Sequence, residues 1–220
     1  MSTILELFPR ESGAARMTSP RAQEVVLPDF PEKSIRSLVE GLFLGNKQMP
    51  VRHVAFASSE GNVPTTDLCF ATARLLAQQG SGNVALLDAS LDGSSFARLN
   101  LANRNGDCEC RISDHFWAVN RCAWLETGRD GSFNARCVSR LREITSRFDF
   151  SIFSCGLLDS ATITIGGACD GLVLVLTANT TRRLVANRMK ECLRNADVPL
   201  LGTVLTERRF PIPERIYRVL

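Results

Sequence analysis

Three short stretches carry side chains able to handle a phosphate or a metal ion. They are Ser58-Ser-Glu-Gly-Asn-Val-Pro-Thr-Thr66, Asp88 to Gly93, and Ser154 to Gly156. A polar loop that opens a helix can receive an anion on its backbone N–H groups and on the positive end of the helix dipole. Ser59, Glu60, Gly61, Asn62, Val63, Pro64, Thr65 and Thr66 are the candidates for that contact. A carboxylate with a nearby hydroxyl is the minimum that could steady a Mg²⁺ ion, and Asp88 with Thr65 fills that description. The charge balance opposes an anion. Glu60 stands inside the loop, and no Lys or Arg occurs between His53 and Arg74. Nucleophilic triads are set aside, because neither His53 nor His115 lies beside a G-x-S-x-G pattern.

The elements that must position these residues alternate between apolar runs and amphipathic stretches. His53–Ala57, Val84–Leu87, Phe150–Phe153, Gly171–Leu176 and Leu200–Leu205 are short, continuously apolar and without period-2 alternation, which predicts strands buried on both faces. Ala123–Thr127 is a weaker strand candidate. Between them the 3.6-residue period predicts helices. Over Pro31–Leu44 it selects Ile35, Leu38, Val39, Leu42 and Phe43. Over Thr65–Gln79 it selects Leu68, Ala71, Thr72, Leu75 and Leu76. A helix from about Asn134 turns Val138, Leu141, Ile144 and Phe148 inward. One over Thr180–Ala196 turns Val185, Met189, Cys192, Leu193 and Ala196 inward. Ser95–Leu101 is a short helix, and 102–132 has no clear assignment. The expected fold is three-layer α/β, a mainly parallel sheet flanked by helices. Ligands of such sheets bind at the carboxyl ends of the strands, where all three candidate stretches fall. Residues 1–30 read as a flexible arm, 31–206 as the domain and 207–220 as a tail.

From about Glu32 to Leu205 the chain resembles the cytoplasmic bacterial tyrosine kinases of capsule and exopolysaccharide synthesis, within the MinD/ParA type of phosphate-loop ATPases. Five segments carry the resemblance: Glu32–Leu44 as the helix before the first strand; Val54–Thr66 as strand, loop and helix start; Leu86-Leu-Asp-Ala-Ser90; Phe148-Asp-Phe-Ser-Ile-Phe-Ser154; and Asp170-Gly-Leu-Val-Leu-Val175. The resemblance implies a phosphate-loop NTPase fold binding ATP or ADP with Mg²⁺. The residues depart from the working pattern G-x-x-x-x-G-K-[ST], in which Lys meets the phosphates and the hydroxyl meets Mg²⁺. Val63 stands for the Lys, Asn62 for the second Gly and Pro64 for the hydroxyl. Ser90 and Ser154 replace two acids, leaving Asp88. Such losses predict a kinase-like regulatory or scaffold protein with its phosphoryl-transfer chemistry gone. The alternative is a weakly active ATPase or tyrosine autokinase, with Asp88 as its remaining catalytic acid. The tyrosine-rich tail of the family is reduced to Tyr217. In its Glu-x-x-Arg-x-x-Arg helix only Arg36 fits, with Lys33 and Val39 at the other two positions, so ring assembly through that helix is not expected.

The partners that the resemblance implies are a membrane polysaccharide chain-length regulator or an active kinase paralogue, with a homo-oligomer left open. Charge is uneven. Residues 181–220 hold nine Lys or Arg against four Asp or Glu, within an overall net charge of +3. This is either a solvated helix face with a basic tail or a docking surface for an acidic partner or anionic membrane. A MinD/ParA-like membrane or nucleoid factor is a third reading. It is disfavoured because the basic stretch lacks interleaved aromatics, and no nucleic acid partner is expected. No apolar run reaches the length of a membrane helix, and residues 1–21 have no signal-like apolar core. The expected location is cytoplasmic, or peripheral at the inner membrane through a partner. The eight cysteines form no C-x-x-C pair. Cys108, Cys110, His115 and Cys122 match no structural-zinc spacing, so buried or incidental thiols are expected.

Overall fold

The computed structural model describes residues 3–6, 30–45, 50–61, 63–90, 96–97, 99, 101, 108–124, 135–178 and 180–207. Eight strands form one sheet: β1 (Thr3–Glu6), β2 (His53–Ser58), β3 (Val84–Asp88), β4 (Glu109–Ser113), β5 (Phe116–Val119), β6 (Phe150–Leu157), β7 (Gly171–Thr177) and β8 (Leu200–Thr206). Their order is β1-β8-β7-β2-β6-β3-β5-β4. All pairings are parallel except β4 with β5, which is antiparallel. The helices are α1 (Glu32–Val39), continued by a π-helical turn over Glu40–Leu44, α2 (Thr65–Gln78), α3 (Ala135–Thr145), α4 (Ser160–Ala168) and α5 (Arg183–Asn195). Among the described residues, no helix is long and apolar enough to cross a membrane.

The apolar strands explain the layering. Successive residues of a strand face opposite sides, so each strand feeds two cores. Val54, Phe56, Val84, Leu86, Ile152, Val173 and Val175 pack with Ile35, Leu38, Phe43, Leu68 and Leu76 from α1, its π turn and α2. Ala55, Leu87, Phe153, Leu172 and Leu174 pack with Leu141, Ile165, Met189 and Leu193 from α3, α4 and α5. Full burial of a Phe56 or Leu86 side chain stabilises by about 1.5–3 kcal/mol. Helix α2 is buried nearly all round, because α1 covers the side that the sheet does not.

Several expectations need correction. Within the expected arm 1–30, Thr3–Glu6 is an edge strand paired with β8 from Thr3↔Gly202 to Glu6↔Leu205. Its short β-prone run finds the open edge that the sheet offers. Phe30 packs on the α1–α2 core, and the remaining residues of 1–29 lie outside the described ones. Ala123–Thr127 does not begin as a strand. Arg121–Ala123 is a 3-10 turn that delivers Trp124, fully buried, into the core; 125–127 lie outside the described residues. The strand sits earlier, in the β4–β5 hairpin. Strand β6 runs through Ser154 to Leu157 rather than ending at Phe153, since its neighbours β2 and β3 continue to pair with it there. Helix α5 packs through Ala186, Met189 and Leu193, while Val185, Cys192 and the C-cap residue Ala196 are exposed. Of the predicted helix 95–101, Phe96 and Ala97 are helical, and Phe96 and Leu99 are buried. Cys108 and Cys122, expected as thiols, are joined by a disulfide that closes the two ends of the β4–β5 hairpin.

Candidate functional site

Strands β2, β3, β6 and β7 run parallel, so Ser58, Asp88, Leu157 and Thr177 come to one edge of the sheet. The start of α2 comes to the same edge, because its loop leaves β2 at Ser58. The fold thus brings together the described parts of the three stretches picked out by sequence, with Asn62 and 91–93 outside the described residues.

Within the loop, most polar groups satisfy one another. Ser58 Oγ donates to Glu60 O (2.9 Å) and Gly156 O (3.2 Å). Val63 N donates to Glu60 O, and Thr65 N to Val63 O at 2.7 Å. These two amides face carbonyls of the loop itself, and Pro64 has no N–H to offer. Ser59 Oγ lies 3.1 Å from Thr181 Oγ1, and Thr181 Oγ1 donates to Glu60 Oε1 at 3.3 Å. Thr181, just before α5, therefore staples the loop to the end of β7. Gly61 is exposed, and Asn62 lies outside the described residues.

Val63, the residue at the lysine position of the pattern, is only 7% exposed and belongs to the α1–α2 core. Pro64 caps α2, and Leu68 N donates to its carbonyl at 3.1 Å. Thr66 Oγ1 accepts from Ser154 Oγ at 3.0 Å, a bond buried between α2 and β6. Thr65 Oγ1 is buried with no hydrogen-bond partner among the described residues. It is the one hydroxyl of the described loop left for an incoming group.

Asp88 is 2% exposed at the end of β3. Its Oδ1 accepts from Ser90 N (3.1 Å) and Ser90 Oγ (2.6 Å), so Ser90 closes a turn around the Asp88 carboxylate. Beside it, Ser154 pairs in register with Asp88, and Ala89 N donates to Ser154 O. Burial pushes the Cys69 and Cys155 thiols well above their ordinary range, reinforced for Cys69 by Cys155 and for Cys155 by Asp159. These thiols stay protonated and act as packing groups.

The architecture has close counterparts among solved structures. The kinase domain of Escherichia coli tyrosine kinase ETK matches with a TM-score of 0.73 at 14% identity, over 96% of this chain and 93% of that one. The BceF tyrosine kinase domain matches at 0.60 and 19% identity, over 80% and 76%. A plasmid partition protein from Borrelia burgdorferi matches at 0.52 and 12% identity, over 77% and 87%. The fold is that of the bacterial tyrosine kinase domains. At these identities the likeness concerns the backbone plan, which the kinase-like chain shares with ParA-type proteins. No protein-family model and no curated protein matches it.

Two contacts at this edge of the sheet escape sequence reasoning, and a third is only partly legible. Thr181 is one, although a Thr-Thr pair after a strand is a common place for a loop hydroxyl. The Ser154–Thr66 bond joins residues 88 apart, which no local pattern announces. The Ser90–Asp88 turn is legible in kind, since Asp and Ser two residues apart favour such turns.

Proposed function

We propose that this chain is a kinase-like protein without phosphoryl-transfer activity, acting as a regulator or scaffold in exopolysaccharide or capsule synthesis. One observation carries the reading: Val63, where a phosphate-binding lysine would stand, is packed in the core. Supporting it, the Val63 and Thr65 amides meet loop carbonyls and the Glu60 carboxylate stands in the loop. The residues present do not fit a Mg²⁺-nucleoside triphosphate poised for transfer, because positive charge and metal-holding acids are what stabilise that reaction. The polysaccharide context rests on the sequence resemblance, which also motivates the proposed partners: a membrane chain-length regulator, which would bring the chain to the membrane, or an active kinase paralogue.

A second reading, a weak ATP-binding autokinase, is favoured by the unpartnered Thr65 hydroxyl near Asp88's edge of the sheet. Calorimetric titration with ATP and Mg²⁺, followed by a turnover assay, separates the two. The scaffold reading expects no binding at millimolar nucleotide and no turnover. Micromolar binding with turnover that Asp88→Asn abolishes would replace it with the second.

A further inference from the structure

Helix α5 carries a cost that nothing inside the described chain repays. Arg182 is its N-cap and Arg183 its first residue, with no acid in the first turn. Cations there oppose the positive end of the helix dipole and destabilise the helix. Arg188, Lys190 and Arg194 follow, against the single acid Glu191. All five cations are exposed, and none has an ion-pair partner among the described residues. Elsewhere Arg36 pairs with Glu32, Arg111 with Asp114 and Arg147 with Glu109.

The arrangement on the helix is directional. Ala186, Met189 and Leu193 face the core. At about 100° per residue, Arg183, Lys190 and Arg194 share one flank within an arc of about 40°, a stripe about 16 Å long. Leu184, about 100° round the helix from Arg183, lies on the outward side and is 63% exposed, whereas Val185, about 200° round, lies on the far flank and is 37% exposed. Leu184, one of the four exposed large apolar side chains among the described residues, is thus level with the head of the cationic stripe on the helix's outward side.

We propose that α5 is the docking surface for an acidic segment of a partner protein, with carboxylates along Arg183, Lys190 and Arg194 and an aliphatic side chain against Leu184. This names the partner chemistry that the scaffold reading calls for and rests on that reading only for the need of a partner. Charge complementarity favours a peptide over other anions. A membrane-binding helix presents a broad apolar face, whereas on α5 Glu191 sits mid-face and only two aliphatic side chains are exposed. A nucleic-acid strand favours aromatic platforms, and α5 has none.

The test uses the full chain and fluorescence anisotropy with a labelled peptide of about twelve residues, rich in Glu with one Leu, long enough to span the stripe as a helix. Its Gln-for-Glu counterpart, vesicles of phosphatidylserine and phosphatidylcholine, and duplex DNA are measured alongside. The Glu peptide should bind, lose affinity steeply with salt, and lose more than about tenfold in the triple variant R183E/K190E/R194E. The Gln peptide, vesicles and DNA should bind more weakly. R183E relieves a cation at the helix start but R194E places an acid in the last turn, so the neutral triple variant R183Q/K190Q/R194Q, which should also weaken Glu-peptide binding, separates docking from helix stability. Binding of the Glu peptide that the variant leaves unchanged, no binding at all, or tighter binding to vesicles or DNA would overturn the proposal. ATP turnover in the same samples reports separately on the scaffold reading, and its appearance would leave the docking result standing.

Discussion

The two edges of the sheet use their acids in opposite ways. At the amino edge, where β2, β3, β6 and β7 begin, carboxylates tie neighbouring strands together. Asp170 Oδ2 accepts from Arg52 N (2.7 Å) and His53 N (2.8 Å), and Asp149 Oδ2 accepts from Asn83 N (2.8 Å). At the carboxyl edge, Asp88 is turned onto Ser90, and Glu60 onto Thr181. One edge has kept the acids that define the framework. The other turns both of these carboxylates onto neighbouring hydroxyls, while leaving the buried Thr65 hydroxyl unpartnered among the described residues. A fold and its site can therefore be maintained separately, because strand ladders need only aligned backbone groups while a site needs charges left open for something else.

The largest test of this contrast is Gly171→Ala at the amino edge. A Cβ there would lie 2.6 Å from Pro199 O, a backbone atom that cannot move aside. A loss of about 2–3 kcal/mol is expected in urea unfolding; a loss below about 0.5 kcal/mol would show that this edge is not tightly built. Next, Asp170→Ala leaves two strand-start amides without their acceptor and should cost about 1–2 kcal/mol. Asp88→Asn, at the carboxyl edge, keeps an acceptor for Ser90 and should cost under about 1 kcal/mol in thermal melts. If it cost more than Asp170→Ala, the division between edges would fail.

The smallest effect is on pH. Burial lowers the His53 pKa below 6.5, with Asp170 opposing the shift and Arg52 adding to it. The folded state thus resists protonation that the unfolded chain accepts. Stability from this group is complete above about pH 6.5 and declines as pH falls below that value toward the folded pKa. His53→Gln should flatten that decline in urea titrations across this window, and an unchanged slope would remove His53 from the framework's pH response.

Much of the plan is legible in the chain. The helical period alone places Ile35, Leu38, Val39, Leu42 and Phe43 on one face, and all five are buried. The five principal strands follow from apolar runs, because a strand covered on both faces must be apolar throughout. Helix α5 departs from its pattern at Val185 and Cys192, since two apolar side chains beside a core stripe look inward whether or not another element reaches them. The β4–β5 hairpin is hidden in a polar stretch, as edge strands with exposed charges such as Arg111 lack the apolar signal.

Residue order by itself determined the alternation of strand and helix, and hence which loops meet at one edge, because these depend on local period and hydrophobic content. Tertiary structure alone decided that Val63 faces the core, that Thr181 reaches Glu60 and that Asp170 serves residues more than a hundred positions away. Those outcomes depend on which distant backbone and side-chain groups arrive within about 3 Å, and no local pattern encodes that distance.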